Sequence, residues 1–449
     1  MDRQQFEHRV EQGELDTVIA AFPDPYGRLM GKRIPARLFA EQHMEASPIH
    51  ACNYLLTADM ELEPLPGFAF TSWDKGYGDM GMLPDLKTLR AVPWFEGSAL
   101  VICDLIDHHG EPLALGPRQI LKAQIRACEK AGLRPMMASE LEFFLFRGLP
   151  HELRQRGFQA LEPSTDYLID YDILGTSADE PLLRDIRLQM PQAEIPIESS
   201  KGEWGQGQHE VNFIYGTALE AADRHAIFKQ GVRQLATRHG VSATFMAKVS
   251  EKMAGSSCHI HASLWRGDKT AFWDEKAECP SADFGHFLAG CMRRAREFSL
   301  FFAPLPNSYK RYQAASFAPV SVAWGVDNRT CGFRAVGQGA GARIENRIPG
   351  ADVNPYLAFA ATLAAGLDGV AQKLEPDPPF EGNAYACEGI ERVPRTMPEA
   401  IRTLEASELA GQAFGEQVVE HYLRLARLEQ AGLDRYVTDW ERMRYFERI

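Results

Sequence analysis

Four short segments of this chain gather side chains that hold cations and anions. In ASELEFFLFR (138–147), Glu140 and Glu142 stand two apart inside an apolar run. The run reads as a strand, and the two-residue period puts both carboxylates on one face. Two like charges flanked by Phe143, Phe144, Leu145 and Phe146 are costly to bury unless a cation neutralises them, and a divalent ion is the simplest choice. From this segment alone an edge strand with both carboxylates in solvent is an equal alternative. KGEWGQGQHEVNF (201–213) carries Glu203 and Glu210 around a Gly-rich turn that enters a strand near His209, a geometry able to aim both carboxylates at one point. Two solvated loop carboxylates are the plainer alternative. AGSSCHIHASLW (254–265) sets His259 and His261 on one strand face, where imidazole suits a metal or a phosphate oxygen, although an isolated His-x-His is a weak signal.

In ARIENRIPGADVNPYLAFAA (342–361), Glu345 and Arg347 again stand two apart, ahead of a turn and an apolar helix. Upstream, NSYKRYQAASFAP (307–319) and WGVDNRTCGFR (324–334) supply Lys310, Arg311, Arg329 and Arg334. Any one of these arginines reads as an ordinary surface ion pair. As a stretch inside an acidic protein they ask for an anionic partner. Carboxylates and imidazoles for hard divalent ions, beside arginines for phosphate and carboxylate oxygens, are the two halves that phosphoryl transfer needs. There is no GxxxxGK[ST] loop and no GxGxxG fingerprint, so a nucleotide would need a different frame.

The elements that must position these residues follow from periodicity. Strand patterns at 135–146, 208–213, 243–248, 256–264 and 342–347 alternate with helical ones at 219–239, 283–302, 355–374 and 416–433. The first hundred residues are strand-rich, and IDHHGEPLALGP (106–117) marks a boundary before an amphipathic helix at 118–131. The expected organisation is a small domain over 1–108 and a larger α+β domain over 109–449. A length of 449 residues allows two or three domains. With 48 Lys+Arg against 61 Asp+Glu the net charge is −13, and no basic run with interleaved aromatics appears, which disfavours nucleic-acid binding. No apolar run spans a membrane and no apolar signal core opens the chain, so a cytoplasmic location is expected. The eight cysteines are scattered without a CxxC pair and read as reduced, mostly packed thiols.

Taken in order, SELEF, EWGQGQHE, GSSCHIH, NSYKR, DNRTCGFR and RIENRIPGADVNPY resemble the glutamine synthetase family, from YGRLMGKRIP (26–35) to the C-terminus. The resemblance implies a β-grasp-like N-terminal domain and a large catalytic domain whose antiparallel strands, surrounded by helices, form a funnel-like site open to ATP. It also implies a homo-oligomer of six-membered rings, hexamer or dodecamer, in which a neighbour's N-terminal domain completes each site. Carried over, Glu142, Glu203 and Glu210 hold one metal ion, and Glu140, His259 and Glu345 a second, as Mg2+ or Mn2+. His261, with Ser263 and Arg343, lies against the nucleotide phosphates. Arg329 and Arg334 steady the transferring phosphoryl group, and Gly255, Arg311 and Arg347 hold glutamate. The implied chemistry is attack of the glutamate γ-carboxylate on the γ-phosphate of ATP, then displacement of phosphate by an amine.

Two departures bear on the amine. Ammonia-using bacterial members carry a glutamate in a GYEAP-like segment after NSYKR; here the segment is ASFAP and Phe317 takes that place. A phenyl ring neither accepts a proton nor pairs with ammonium. Their Asp-Gly-Ser-Ser segment is also missing, and LLTADMELEPLPG (55–67) stands in the region, with Asp59, Glu61 and Glu63 as candidates for capturing the amine and its proton. An aromatic wall suits a larger amine, which resembles the γ-glutamylamine and γ-glutamylpolyamine synthetase branch. Ala254 replaces the usual Asn of the NGSG-like loop, and Tyr385 reads as a plain surface tyrosine. The expected activity is an ATP-dependent ligase joining glutamate to a polyamine or monoamine. An ordinary glutamine synthetase is the alternative, with a non-catalytic ring-forming relative behind it.

Overall fold

The computed structural model describes residues 1–45 and 47–449. The first sheet is built from β1 (Thr17–Pro23), β2 (Leu29–Pro35), β3 (Ile49–Cys52), β4 (Asp79–Pro84), β5 (Arg90–Ala91) and β6 (Ser98–Ile106), in the order β2-β1-β6-β4-β3 with β5 also on β6. β1 and β6 run parallel, and the remaining pairs are antiparallel. β6, SALVICDLI, is buried along most of its length, as befits a strand with neighbours on both sides.

The second sheet holds the four segments singled out above. Its strands are β7 (Arg134–Arg147), β8 (Ile197–Gly202), β9 (Gln208–Phe213), β10 (Gly216–Thr217), β11 (Val241–Thr244), β12 (Cys258–Arg266), β13 (Lys269–Thr270), β16 (Trp324–Val326), β17 (Phe333–Val336) and β18 (Arg343–Asn346); β14 (Trp273–Asp274) and β15 (Cys279–Pro280) form a separate ribbon. The order is β16-β17-β18-β12-β7-β9-β8, with β10 and β11 on β7 and β13 on β12. Every pair is antiparallel except β16 with β17. Along β7 the odd positions Leu141, Phe143 and Leu145 enter the main core. On the other face, Glu140 and Glu142 give way to Phe144 and Phe146, which close a small cluster with Leu153. One strand therefore carries a charged stretch and a greasy stretch on the same side.

Helices back the core face. Pro355–Gln372 is buried almost all round and packs on Pro117–Lys130, Ala218–Arg238 and Ala282–Arg294. Two details differ from the sequence expectation. The pattern over 283–302 divides into Ala282–Arg294 and Ser299–Phe302, and the Ser299 hydroxyl donates to the Ala295 carbonyl at 2.8 Å, a local bond that competes with a continuous helix. The strand expected over 243–248 is shorter: the ladder with β7 ends at Thr244, and Lys248 makes an isolated bridge to Gly255. Cys103, Cys128, Cys258, Cys291 and Cys331 are buried free thiols. Among the described residues no helix is long and apolar enough to cross a membrane.

Arg118 ties the first sheet to the helical layer. It is 3% exposed and bonds Asp104 of β6 (2.7 Å), Asp85 just beyond β4 (2.8 Å) and both oxygens of Asp223 (3.0 and 2.9 Å). Tyr356 donates to Asp223 from the opposite helix at 2.7 Å. Removing one partner from a buried charge network strands the others, so Arg118→Met is expected to lower stability by about 3–5 kcal/mol. A denaturant midpoint close to that of the native chain would contradict this account.

Candidate active site

The register of the second sheet assembles the charged face. Lys201 on β8 stands opposite Glu210 on β9, which stands opposite Glu142 on β7. One step along, Asn212, Glu140 and His259 form a second cross-strand row, and His261, Glu345 and Arg334 on β12, β18 and β17 form a third. Directly opposed residues of antiparallel strands share a face, so three rows place every group on one side. Glu203 joins from the β8–β9 turn.

Ligand-type atoms meet within 4.8 Å in three sets: Glu142, Glu203 and Glu210; Glu140, Glu210 and His259; Glu140, His261 and Glu345. The first set matches the sequence expectation. The second expected set is also brought together, with His259 Nδ1 at 3.1 Å from Glu140 and 3.5 Å from Glu345, but His261 and Glu210 share that space. The buried His259 Nε2 has no partner among the described residues, and His261 Nε2 lies 3.0 Å from Glu140 at an angle that makes no hydrogen bond.

Electrostatics divides the cluster. Burial, then the Glu203 charge, pushes Glu142 up to about 8, while the Ser257 N–H and Arg311 pull the other way. Burial and the charges of Glu140, Glu203 and Glu142 raise Glu210 well above its ordinary value. Burial also pushes on Glu345, yet His259 and Arg347 hold it down at about 2. Glu140 is likewise held well below the carboxylate range, against burial, by His261 and His259. Burial, then Arg347, lowers His259, while Glu140 and Glu345 pull the other way. Crowded carboxylates, two of them forced towards their protonated forms, beside imidazoles whose Nε2 atoms have no hydrogen-bond partner among the described residues, fit hard divalent cations.

The arginines divide by depth. Arg311 is 1% exposed and donates to the Ile348 carbonyl (2.8 Å), the Ser257 hydroxyl (2.8 Å) and the Arg347 carbonyl (3.1 Å). Arg347 pairs with Glu345. The Nε atoms of both Arg311 and Arg347 are buried with no partner among the described residues, two donors suited to a carboxylate. Gly255 is required where it is: a Cβ there would lie 2.7 Å from Arg311 Cγ and 3.0 Å from the Ala247 carbonyl. Arg334 bridges Glu345 (2.8 Å) and Asp327, while Arg329 is exposed nearby. Arg343 donates to His261 Nδ1 at 3.2 Å, and Ser263 accepts from Trp265 at 3.1 Å. His261, Ser263, Arg343, Glu140, Trp265 and Tyr215 line a cavity of about 380 Å³. A larger one, about 760 Å³, lies beside Lys310 and Arg392 and contains none of the residues singled out for metal, phosphate or glutamate.

Asp59 stands apart. Its carboxylate caps a turn, accepting from the N–H groups of Glu61 and Glu63 at 3.0 and 2.9 Å, and its carbonyl accepts from Arg28. Phe317 is 51% exposed with φ of 57°, a left-handed conformation unusual for a bulky side chain, and its ring meets Trp204 edge-on at 6.0 Å. Trp204 and Lys201 escaped the sequence reading, and Tyr385, expected as a plain surface tyrosine, is held in the site region instead. Trp204 follows Glu203 directly and donates its N–H to that carboxylate at 3.1 Å. Tyr385 is half-buried, and its hydroxyl donates to the Ala318 carbonyl at 3.0 Å, pinning the Phe317 loop.

Sequence and structure comparisons fit this geometry. The glutamine synthetase catalytic domain matches residues 114–445, and the chain belongs to the glutamine synthetase family. Within it, the chain is 47% identical over 440 residues to the γ-glutamylethanolamide synthetase of Streptomyces coelicolor, covering 98% of this chain and 94% of that one. It is 37% identical over 447 residues to the glutamate–isopropylamine ligase of a Pseudomonas species, covering 98% and 97%. A solved ADP complex of GmaS superimposes with a TM-score of 0.85 at 27% identity, covering 98% and 99%.

The raised Glu142 carboxyl gives a signed expectation. Its folded value lies above its ordinary one, so the metal-free fold loses stability as pH rises from the ordinary carboxylate range through about 8. A bound cation offsets that loss and displaces the proton. The rise in melting temperature on adding Mg2+ or Mn2+ is expected to be larger at pH 8 than at pH 6, with protons released at pH 6. Melting curves indifferent to the cation at both pH values would contradict it.

Proposed function

We propose that the protein is an ATP-dependent ligase that forms a γ-glutamyl amide from glutamate and a primary amine larger than ammonia. The observation that carries the amine is the exposed Phe317–Trp204 pair beside Glu203, where ammonia-using relatives present a carboxylate. The names of the ethanolamide and isopropylamine relatives support the same reading.

Arg311 and Arg347 hold the glutamate carboxylates through their free Nε donors, with the Gly255 backbone closing on them. Glu142, Glu203 and Glu210 hold one divalent ion, and Glu140, His259 and Glu345 another. When bound, Mg2+ or Mn2+ would supply the positive charge that neutralises the phosphoryl oxygens and makes the γ-phosphorus more electrophilic. His261, Ser263 and Arg343 line the nucleotide side, and Arg334 with Arg329 faces the transferring phosphoryl group. The γ-carboxylate of glutamate attacks the γ-phosphorus and ADP leaves. The free amine then attacks the acyl carbon of γ-glutamyl phosphate, phosphate leaves, and the surplus proton passes to a base. Asp59 takes that part from a neighbouring subunit of a six-membered ring, hexameric or dodecameric. The chain divides at 108/109 into an N-terminal and a catalytic unit and works in the cytoplasm.

Phosphate release with glutamate, ATP and Mg2+ is expected to be faster with methylamine, ethanolamine or isopropylamine than with ammonium; ammonium at or above every amine would overturn the reading. Glu142→Ala is expected to abolish turnover while circular dichroism stays native, and Phe317→Glu to raise kcat/KM for ammonium about tenfold, or about 1.4 kcal/mol. Gly255→Ala, which displaces Arg311, is expected to raise KM for glutamate by about tenfold with a smaller change in kcat.

A further inference from the structure

Lys201 keeps its own ammonium inside a group of donors suited to an alkylammonium ion. Its Nζ pairs with Glu203, lies 3.6 Å from Asp170 Oδ1, donates to the Gly202 carbonyl at 3.3 Å and sits 4.4 Å from the centre of the Tyr171 ring. Two carboxylates, a carbonyl and an aromatic face are the features by which a protein recognises a primary ammonium. Asp170 and Tyr171 hold the charge even when Glu203 is committed to another cation. Glu203 is the wall this cage shares with the aromatic pair: one carboxylate oxygen meets Lys201, and the other accepts the N–H of Trp204, whose ring meets Phe317. The cage is half open, with Tyr171 68% exposed.

Resting on the ligase reading above, we propose that Lys201 fills this cage as a built-in replacement for the second ammonium of a diamine, so that the enzyme selects monoamines. A diamine whose first nitrogen reacts beside Glu203 carries a second charge a few carbons away. That charge finds the cage occupied and a like charge at close range. At a partly exposed site such repulsion is worth about tenfold or more in kcat/KM. A neutral alkyl or hydroxyalkyl tail meets no such barrier and packs against Trp204 and Phe317.

Butylamine and putrescine share one carbon chain and differ by the distal ammonium, so the comparison isolates the charge. With the full-length enzyme, glutamate, ATP and Mg2+, butylamine is expected to exceed putrescine in kcat/KM by about tenfold or more, a preference that narrows as ionic strength rises. Lys201→Ala is expected to shrink the ratio by about tenfold, and Lys201→Arg, which keeps the charge, to retain it. Equal use of the two amines by the native enzyme, or a Lys201→Ala variant that slows both by the same factor, would overturn the proposal. If Lys201→Ala does not fold, the native comparison and its salt dependence decide alone. Ammonium outpacing every amine would instead defeat the ligase reading; monoamines ahead of ammonium with putrescine equal to butylamine would defeat only the role of Lys201.

Discussion

Like charge on one buried sheet face is the constraint around which the rest of the molecule is arranged. Glu140, Glu142, Glu210 and Glu345 point from β7, β9 and β18 of one sheet face into a space that water enters poorly. Antiparallel pairing brings them there, and the same ladder sets their compensation beside them: the Lys201 ammonium opposite Glu210, the Arg334 guanidinium opposite Glu345, and the His259 and His261 rings against Glu140, with Arg347 joining just past β18. Opposite them, Leu141, Phe143 and Leu145 bury into the helical layer, and that burial keeps the strands from parting under the charge on their other side.

Much of this was legible in the sequence because strand periodicity is short and strict. Two carboxylates two apart in SELEF, and two imidazoles two apart in HIH, could lie only on one face each once those runs were strands. Register was not legible. That His261 faces Glu345, or that Lys201 faces Glu210, depends on where strands far apart in the chain align, which residue types alone do not encode. Lys201 and Trp204 were hidden for that reason, although both flank a glutamate that drew attention. Tyr385 read as a plain surface tyrosine because its partner is a backbone carbonyl, which leaves no mark in a sequence. The break before Ser299 was missed because the apolar spacing continues across it, while the side-chain bond that marks it is local and polar.

The buried arginines show how a binding site is prepared before its ligand arrives. Arg311 is fixed by three acceptors and Arg347 by Glu345, and each leaves its buried Nε donor without a partner among the described residues. Rotamer freedom is surrendered during folding, so an anion docking on the two spare N–H groups orders little that is not already ordered. The close approach of Gly255 belongs to the same preparation, since any side chain at that position would move the guanidinium it packs against.

β8 forms one end of the second sheet, with β9 as its partner, and it carries Lys201 at its tip just before the turn that bears Glu203 and Trp204. Strands inside the sheet carry Glu140, Glu142, His259 and Glu345. An interior strand answers to two neighbours, an edge strand to one. Change at the margin is therefore cheap for the fold, while change at the centre is not. A lineage built on this frame can exchange one nitrogen donor for another by drift along its border, leaving the apparatus that activates the acid untouched.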